Sequence, residues 1–125
     1  MWIYTKHGMA SVVCCLDENR QVMNHLLIVR ARTHQDLNDI LEEGGFKERK
    51  CDIRYSPSSD YAYRVKMLKS EVMYMVQLLA KDIDYSNFKN ACHDVDPDFA
   101  RERMLIETWQ AAVTYQTRKG KLSNE

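Results

Sequence analysis

"RYSPSSDYAYRVKM", residues 54–67, alternates aromatic and basic side chains around one break, Ser56-Pro57-Ser58-Ser59-Asp60. Pro, Ser and Asp are turn formers, so the stretch predicts a hairpin: a strand over 52–56, a turn over 57–60 and a returning strand over 61–67. A hairpin makes antiparallel neighbours, and that choice decides the fold class. Alternation places Tyr61, Tyr63, Val65 and Met67 on one face, with Arg64 and Lys66 on the other. Two explanations fit. The tyrosines pack beneath helices while the cations lie along a solvated face, or the hairpin is a contact surface in which rings stack and guanidinium groups pair with anions. Packing is the first reading and contact the second.

Outward from the hairpin, more strands and helices follow by their periods. Residues 2–15 read as a second hairpin turning at Lys6-His7-Gly8, and 17–24 as a polar loop. "HLLIVRAR", 25–32, is the clearest strand. Leu27, Val29 and Ala31 share one side; Leu26, Ile28, Arg30 and Arg32 share the other. Thr33 caps a helix striped by Leu37, Ile40 and Leu41, with Asp36 in a box-like pairing and Gly44-Gly45 as its stop. Ser70 opens a second helix with Val72, Met75, Val76, Leu79 and Ile83 on one side.

"DIDYSNFKNAC", 82–92, reads as a break and a short helix capped by Asp84 or Ser86, with Tyr85 and Phe88 docked on the core. Asp96-Pro97 signals a last helix that turns Leu105, Ile106, Trp109, Ala112 and Val113 inward. The expected fold is α+β: a two-layer sandwich with a mainly antiparallel sheet of about five strands and helices on one face. One domain over 1–116 and a loose tail over 117–125 are expected, with Trp109, Leu27, Val29, Val76 and Leu79 buried together.

Composition limits the function classes. The 125 residues carry 18 Lys+Arg and 18 Asp+Glu, so the formal net charge is zero. That weighs against a dedicated DNA binder, whose footprint is a strong basic excess. Met1-Trp2-Ile3-Tyr4 begins a strand rather than an apolar leader, and the apolar run Val12–Leu16 is too short to span a bilayer. A soluble cytoplasmic chain with no membrane partner is expected. Cys14, Cys15, Cys51 and Cys92 should then be reduced.

The chemistry-bearing residues form no specific motif. Cys14-Cys15 and Cys92-His93 are adjacent pairs, and neighbours rarely both ligate one tetrahedral ion, so no metal and no cofactor are expected. Asp82, Asp84, Asn87 and Asn90 lack the glycine and closing glutamate of a calcium loop. His7, His34 and Asp60 with Arg30 and Arg54 would make a nuclease-like set only if the fold gathered them. There is no Gly-rich phosphate loop and no nucleophile elbow, so the chain is not expected to be an enzyme. What remains is a surface, and the expected binding set is Arg30, Arg32, Arg54, Arg64 and Lys66.

Several pieces together resemble a group of short hypothetical proteins of bacteria and phages. They are "MWIYTKHG" and "SVV" near the start, "VRAR" followed by "DL" at 36–37, "DYAYRV" at 60–65, "DIDYSNFK" at 82–89 and the tryptophan of "ETWQAA". Similar sequences often carry an aromatic after the first glycine, where this chain has Met9-Ala10. The resemblance implies no catalytic residue. Zero net charge, the lack of a chemical motif and small size favour a small non-catalytic protein-binding module, and the expectation extends to a phage-encoded inhibitor or regulator of a host nucleic-acid-processing or defence complex. The alternative is a single-stranded RNA or nucleotide binder that uses an open sheet face.

Overall fold

Three long strands are built from β-branched and apolar runs, and they pair as the hairpin pattern requires. The computed structural model describes residues 1–123, with side chains through residue 120. β1 (Trp2–Thr5), β2 (Gly8–Leu16), β3 (Val22–Ala31), β4 (Arg54–Tyr55) and β5 (Tyr63–Leu68) form one antiparallel sheet in the order β1-β2-β3-β5-β4. α1 (His34–Glu43) follows β3, and α2 (Lys69–Lys81) follows β5. Both helices pack on one side of the sheet. The α+β class with a five-stranded antiparallel sheet and helices on one face is therefore the observed architecture.

Register explains the core. Directly opposed residues of antiparallel strands point to the same side. Val12, Val29 and Val65 form one cross-strand row, and Cys14, Leu27 and Met67 form another. These rows meet Leu37, Ile40 and Leu41 of α1 and Val72, Met75 and Leu79 of α2. Close approach of the two helices depends on Gly44, where an added Cβ would lie 2.2 Å from Met75 Cγ. Gly45, at φ +86°, then takes the left-handed turn that ends α1. Val76 is only half-buried against this core, and Ile83, expected inside, is exposed.

The helix ends differ in detail from the sequence pattern. Thr33 does cap α1, its hydroxyl accepting from the Asp36 N–H. The Asp36 carboxylate accepts from the Met9 N–H at 3.1 Å and ties α1 to β2. α2 begins at Lys69 rather than after Ser70, because Glu71 reaches back to the Leu68 N–H at 2.9 Å. The charged loop after α1 is a 3-10 turn over Lys47–Asp52, which leaves only Arg54 and Tyr55 for β4.

The chain divides into two compact units, Met1–Tyr85 and the segment from Ser86 onward. In the second, α3 (Phe88–Val95) is capped by Asn87, which accepts from the Asn90 N–H at 3.0 Å, rather than by Asp84 or Ser86. α4 (Phe99–Ser123) starts two residues beyond Pro97, where Asp98 accepts from the Ala100 N–H at 2.8 Å. The expected single domain over 1–116 thus meets a boundary between Tyr85 and Ser86, and the expected loose tail is helical as far as Ser123. Residues 124–125 lie outside the described residues. No helix among the described residues is long and apolar enough to cross a membrane.

α4 also corrects the expected core. Trp109 is 55% exposed and lies under the Lys89 ammonium, 5.1 Å from its ring centre. Ile106, Ala112 and Val113 are exposed as well, and Leu105 is the buried α4 residue among those described. Helical spacing gave these residues a common side, but spacing cannot say that a neighbour covers it. Ion pairs join α3 to α4, among them Arg101 to Asp96 at 3.8 Å and His93 Nδ1 to Glu102.

Two predictions follow from these contacts. Ile40→Ala should cost about 2–5 kcal/mol in chemical denaturation, whereas Trp109→Ala should stay within about 0.5 kcal/mol. The hydrogen bond and charge of Glu102 raise the His93 imidazolium pKa above its ordinary value. The ion pair is then fully present below the unfolded histidine pKa and is lost as pH rises through the folded one. Glu102→Gln should return the His93 titration, followed by NMR, towards about 6.5.

Candidate functional site: the open face of the sheet

The side of the sheet away from α1 and α2 carries the cations. One cross-strand row spans all five strands: Trp2, Ser11, Arg30, Arg64 and Arg54 stand opposite one another in turn. The next row holds Val13, Ile28 and Lys66, and beyond it Leu26 faces Leu68. Arg32 lies past the end of β3 on the parity of Arg30. The fold thus gathers all five residues of the expected binding set on one side.

Arg30, Arg32 and Arg64 are held in place by uncharged partners. Arg30 donates to the Ser11 hydroxyl at 2.8 Å and Arg64 to the Ser59 hydroxyl at 2.8 Å. Arg32 donates to the Asp60 carbonyl at 3.3 Å. Tyr61 is 7% exposed and lies beneath two guanidinium groups, 4.6 Å from Arg30 and 4.4 Å from Arg32. This corrects its expected place beneath the helices. β5 begins at Tyr63, so strand alternation does not reach Tyr61, and its ring is free to turn towards the arginines. Tyr63 keeps the expected side, in edge contact with His34 and 5.0 Å from Tyr55.

The row is electrostatically one-sided. Like charges directly opposite on adjacent strands repel. Among the described residues no carboxylate pairs with Arg30, Arg32, Arg54, Arg64 or Lys66. The Nε groups of Arg30 and Arg64 are buried without a hydrogen-bond partner. A buried donor left unmet costs free energy, so holding these two guanidinium groups in the sheet carries a stability cost. Beside β4 and β5 the face dips into a groove of about 440 Å³ with Arg54, Arg64, Lys66 and Arg49 on its walls.

Arg49 is the one groove cation with its own carboxylates. Its Nη2 is forked between the two Glu71 carboxylate oxygens at 2.7 and 2.9 Å, and its Nη1 reaches Asp52 at 3.5 Å. Burial pushes the Glu71 carboxyl upward. The Arg49 fork and the Leu68 N–H outweigh that and hold it below the usual carboxylate range. Sequence reasoning did not single out Arg49 or Glu71, because their meeting depends on where the 3-10 turn docks.

A second cluster lies at the opposite edge, around the β1–β2 turn. His7, Glu43 and Asp82 offer ligand atoms within 4.8 Å of one another. His7 Nε2 is 2.7 Å from Asp82. Lys6 stands 3.7 Å from Asp82 and 3.1 Å from Asp84, and these carboxylates raise its pKa, the Asp84 hydrogen bond foremost. An ammonium ion thus already balances Asp82, and the cluster serves as an ion-pair clasp between the first turn and the end of α2. The residues of the nuclease-like set lie apart: His7 belongs to this clasp and His34 to Tyr63, while Asp60 meets Arg32 through its carbonyl. Cys14, Cys15, Cys51 and Cys92 are free thiols, and burial raises the pKa of Cys15 and Cys92.

The Arg49–Glu71 fork sets an acid-side prediction. A depressed carboxylate pKa stabilises above the unfolded value and loses that contribution as pH falls through the folded one. Glu71→Gln should therefore cost about 1–2 kcal/mol at pH 7 and much less near pH 3, read by urea melts at both.

No protein-family model matches this chain, and no curated protein and no solved structure matches it.

Proposed function

We propose that this chain is a non-catalytic protein-binding module that docks an acidic partner on its open sheet face. The single observation that supports this most is the row Arg30–Arg64–Arg54, three opposed guanidinium groups with no carboxylate among the described residues to balance them. Apolar side chains flank the row. Trp2, at its end, is 67% exposed, and Val13 and Leu68 are exposed beside it. Trp and Arg are the residue types that carry most binding energy at protein interfaces. A cationic row within an apolar surround suits a partner that presents carboxylates among apolar groups.

The runner-up, a single-stranded RNA or nucleotide binder, needs rings free to stack bases. Tyr61 is buried under Arg30 and Arg32, and Tyr55 and Tyr63 lie on the parity of the helix side. Trp2 is the aromatic left in the row. The protein reading extends to an inhibitor or regulator of a host nucleic-acid-processing or defence complex. An inhibitor that mimics nucleic acid presents carboxylates; this face presents guanidinium groups. Its contact with such a complex would be an acidic protein surface, not the nucleic-acid groove.

Charge reversal tests the reading. Arg54→Glu with Lys66→Glu changes two solvated positions, so stability should move by about 0.5 kcal/mol or less. Wild type immobilised in host extract should retain an acidic protein that salt releases, and the reversed variant should retain none. Retention by both, or a 260/280 absorbance ratio showing co-purified nucleic acid that high salt removes, would overturn it.

A further inference from the structure

We propose that the groove beside β4 and β5 is a phosphoryl-binding site, and that its ligand is a phosphorylated side chain of the protein partner. This rests on the reading of the open face as a protein-docking surface and names the chemistry that one part of it recognises. The groove walls carry four cations, Arg49, Arg54, Arg64 and Lys66, against one carboxylate, Asp52. Arg49 is already bound to Glu71 and Asp52. Arg54, Arg64 and Lys66 therefore face the groove without a counter-charge among the described residues.

One carboxylate brings a single charge and two oxygens. A phosphate monoester brings about −1.5 to −2 and three acceptor oxygens, which suits two guanidinium forks and an ammonium ion converging on one volume. Arg64 lines the groove with its Nε buried, so its terminal nitrogens are the ones that a ligand can reach. Arg64 is also pre-positioned, because its Nη2 is held by Ser59 at 2.8 Å. A guanidinium fixed before binding loses less rotamer freedom when the ligand arrives.

The source of the phosphate follows from the rest of the lining. Ile28 and Val65 complete the walls, and no aromatic ring among the described residues lines the groove. A nucleotide would find nothing there on which to stack its base. A phosphorylated side chain needs only the phosphate pocket and an apolar shelf for the flanking chain. Ile28, Val13 and Leu68 provide that shelf on the same face.

Arginine Nε–Hε NMR spectra of the full chain test this directly. The probes are the blocked peptide Gly-Gly-phosphoserine-Gly-Gly, its glutamate counterpart, inorganic phosphate, AMP and hexauridylate. The phosphopeptide should shift the Arg64 and Arg54 signals and bind at least about 10-fold tighter than the glutamate peptide. Inorganic phosphate should move the same signals more weakly. Arg54→Ala with Lys66→Ala should abolish the phosphopeptide shifts and leave the backbone amide spectrum of the core unchanged. Equal binding of the two peptides, tighter binding of AMP or hexauridylate, or an unmoved Arg64 signal would each overturn the assignment. If the phosphopeptide fails while the charge-reversed variant still loses its partner, the phosphoryl assignment falls and the docking face stands. If the charge-reversed variant keeps its partner, the docking face itself falls.

Discussion

Strand β3 is hydrogen-bonded on both sides, so each of its side chains has only two directions in which to point. Leu27, Val29 and Ala31 take the direction of the helices, and Ile28 and Arg30 take the other. The rows from Ser11 to Cys14 of β2 and along β5 inherit this division, because there they pair with β3 residue against residue; a register shift between Cys14 and Cys15 ends it on the β2 side. A slip of one residue would drive Arg30 into the core and Val29 into water. The same constraint that seals the core therefore assembles the cationic face. Core and cationic face are set by one strand, and a substitution that weakened its register would damage both.

The antiparallel class, the two hairpins, the stripes of α1 and α2 and the inward side of β3 were all legible, because each rests on a local period. Leu37, Ile40, Leu41, Val72, Met75 and Leu79 needed nothing beyond spacing. The alignment of Arg30, Arg64 and Arg54 was only half legible. Strand parity put them on sides, but which residues stand opposite depends on turn geometry that Pro57-Ser58-Ser59-Asp60 does not announce. Tyr61 was misplaced because a period was carried two residues beyond the strand that generates it. Trp109 was misplaced for a different reason. Its spacing along α4 was read correctly, but a helix side is core only where another element covers it. The pairing of Arg49 with Glu71 joins residues 22 positions apart, and no local pattern encodes that.

Two kinds of charge use are visible in one small sheet. Around the first turn, Lys6 pairs with Asp82 and Asp84, and His7 hydrogen-bonds Asp82, which joins segments distant in sequence. Around β5, cations are instead held by hydroxyls, a carbonyl and the face of a ring, which orient a guanidinium without cancelling its charge. Opposite charges within the first cluster offset each other's desolvation. The second keeps its field available to whatever approaches the open side.

A formal net charge of zero gives the molecule no overall repulsion between copies. β4, two residues long, covers only the start of β5, so a stretch of that strand lies near an open sheet edge. Such edges invite self-association, and natural sheets often guard them with lysine or a very short terminal strand. Lys66 and the arginine row stand at this margin. Two copies meeting face to face would bring like charges together, so the molecule would avoid its own kind locally, where its total charge offers no protection.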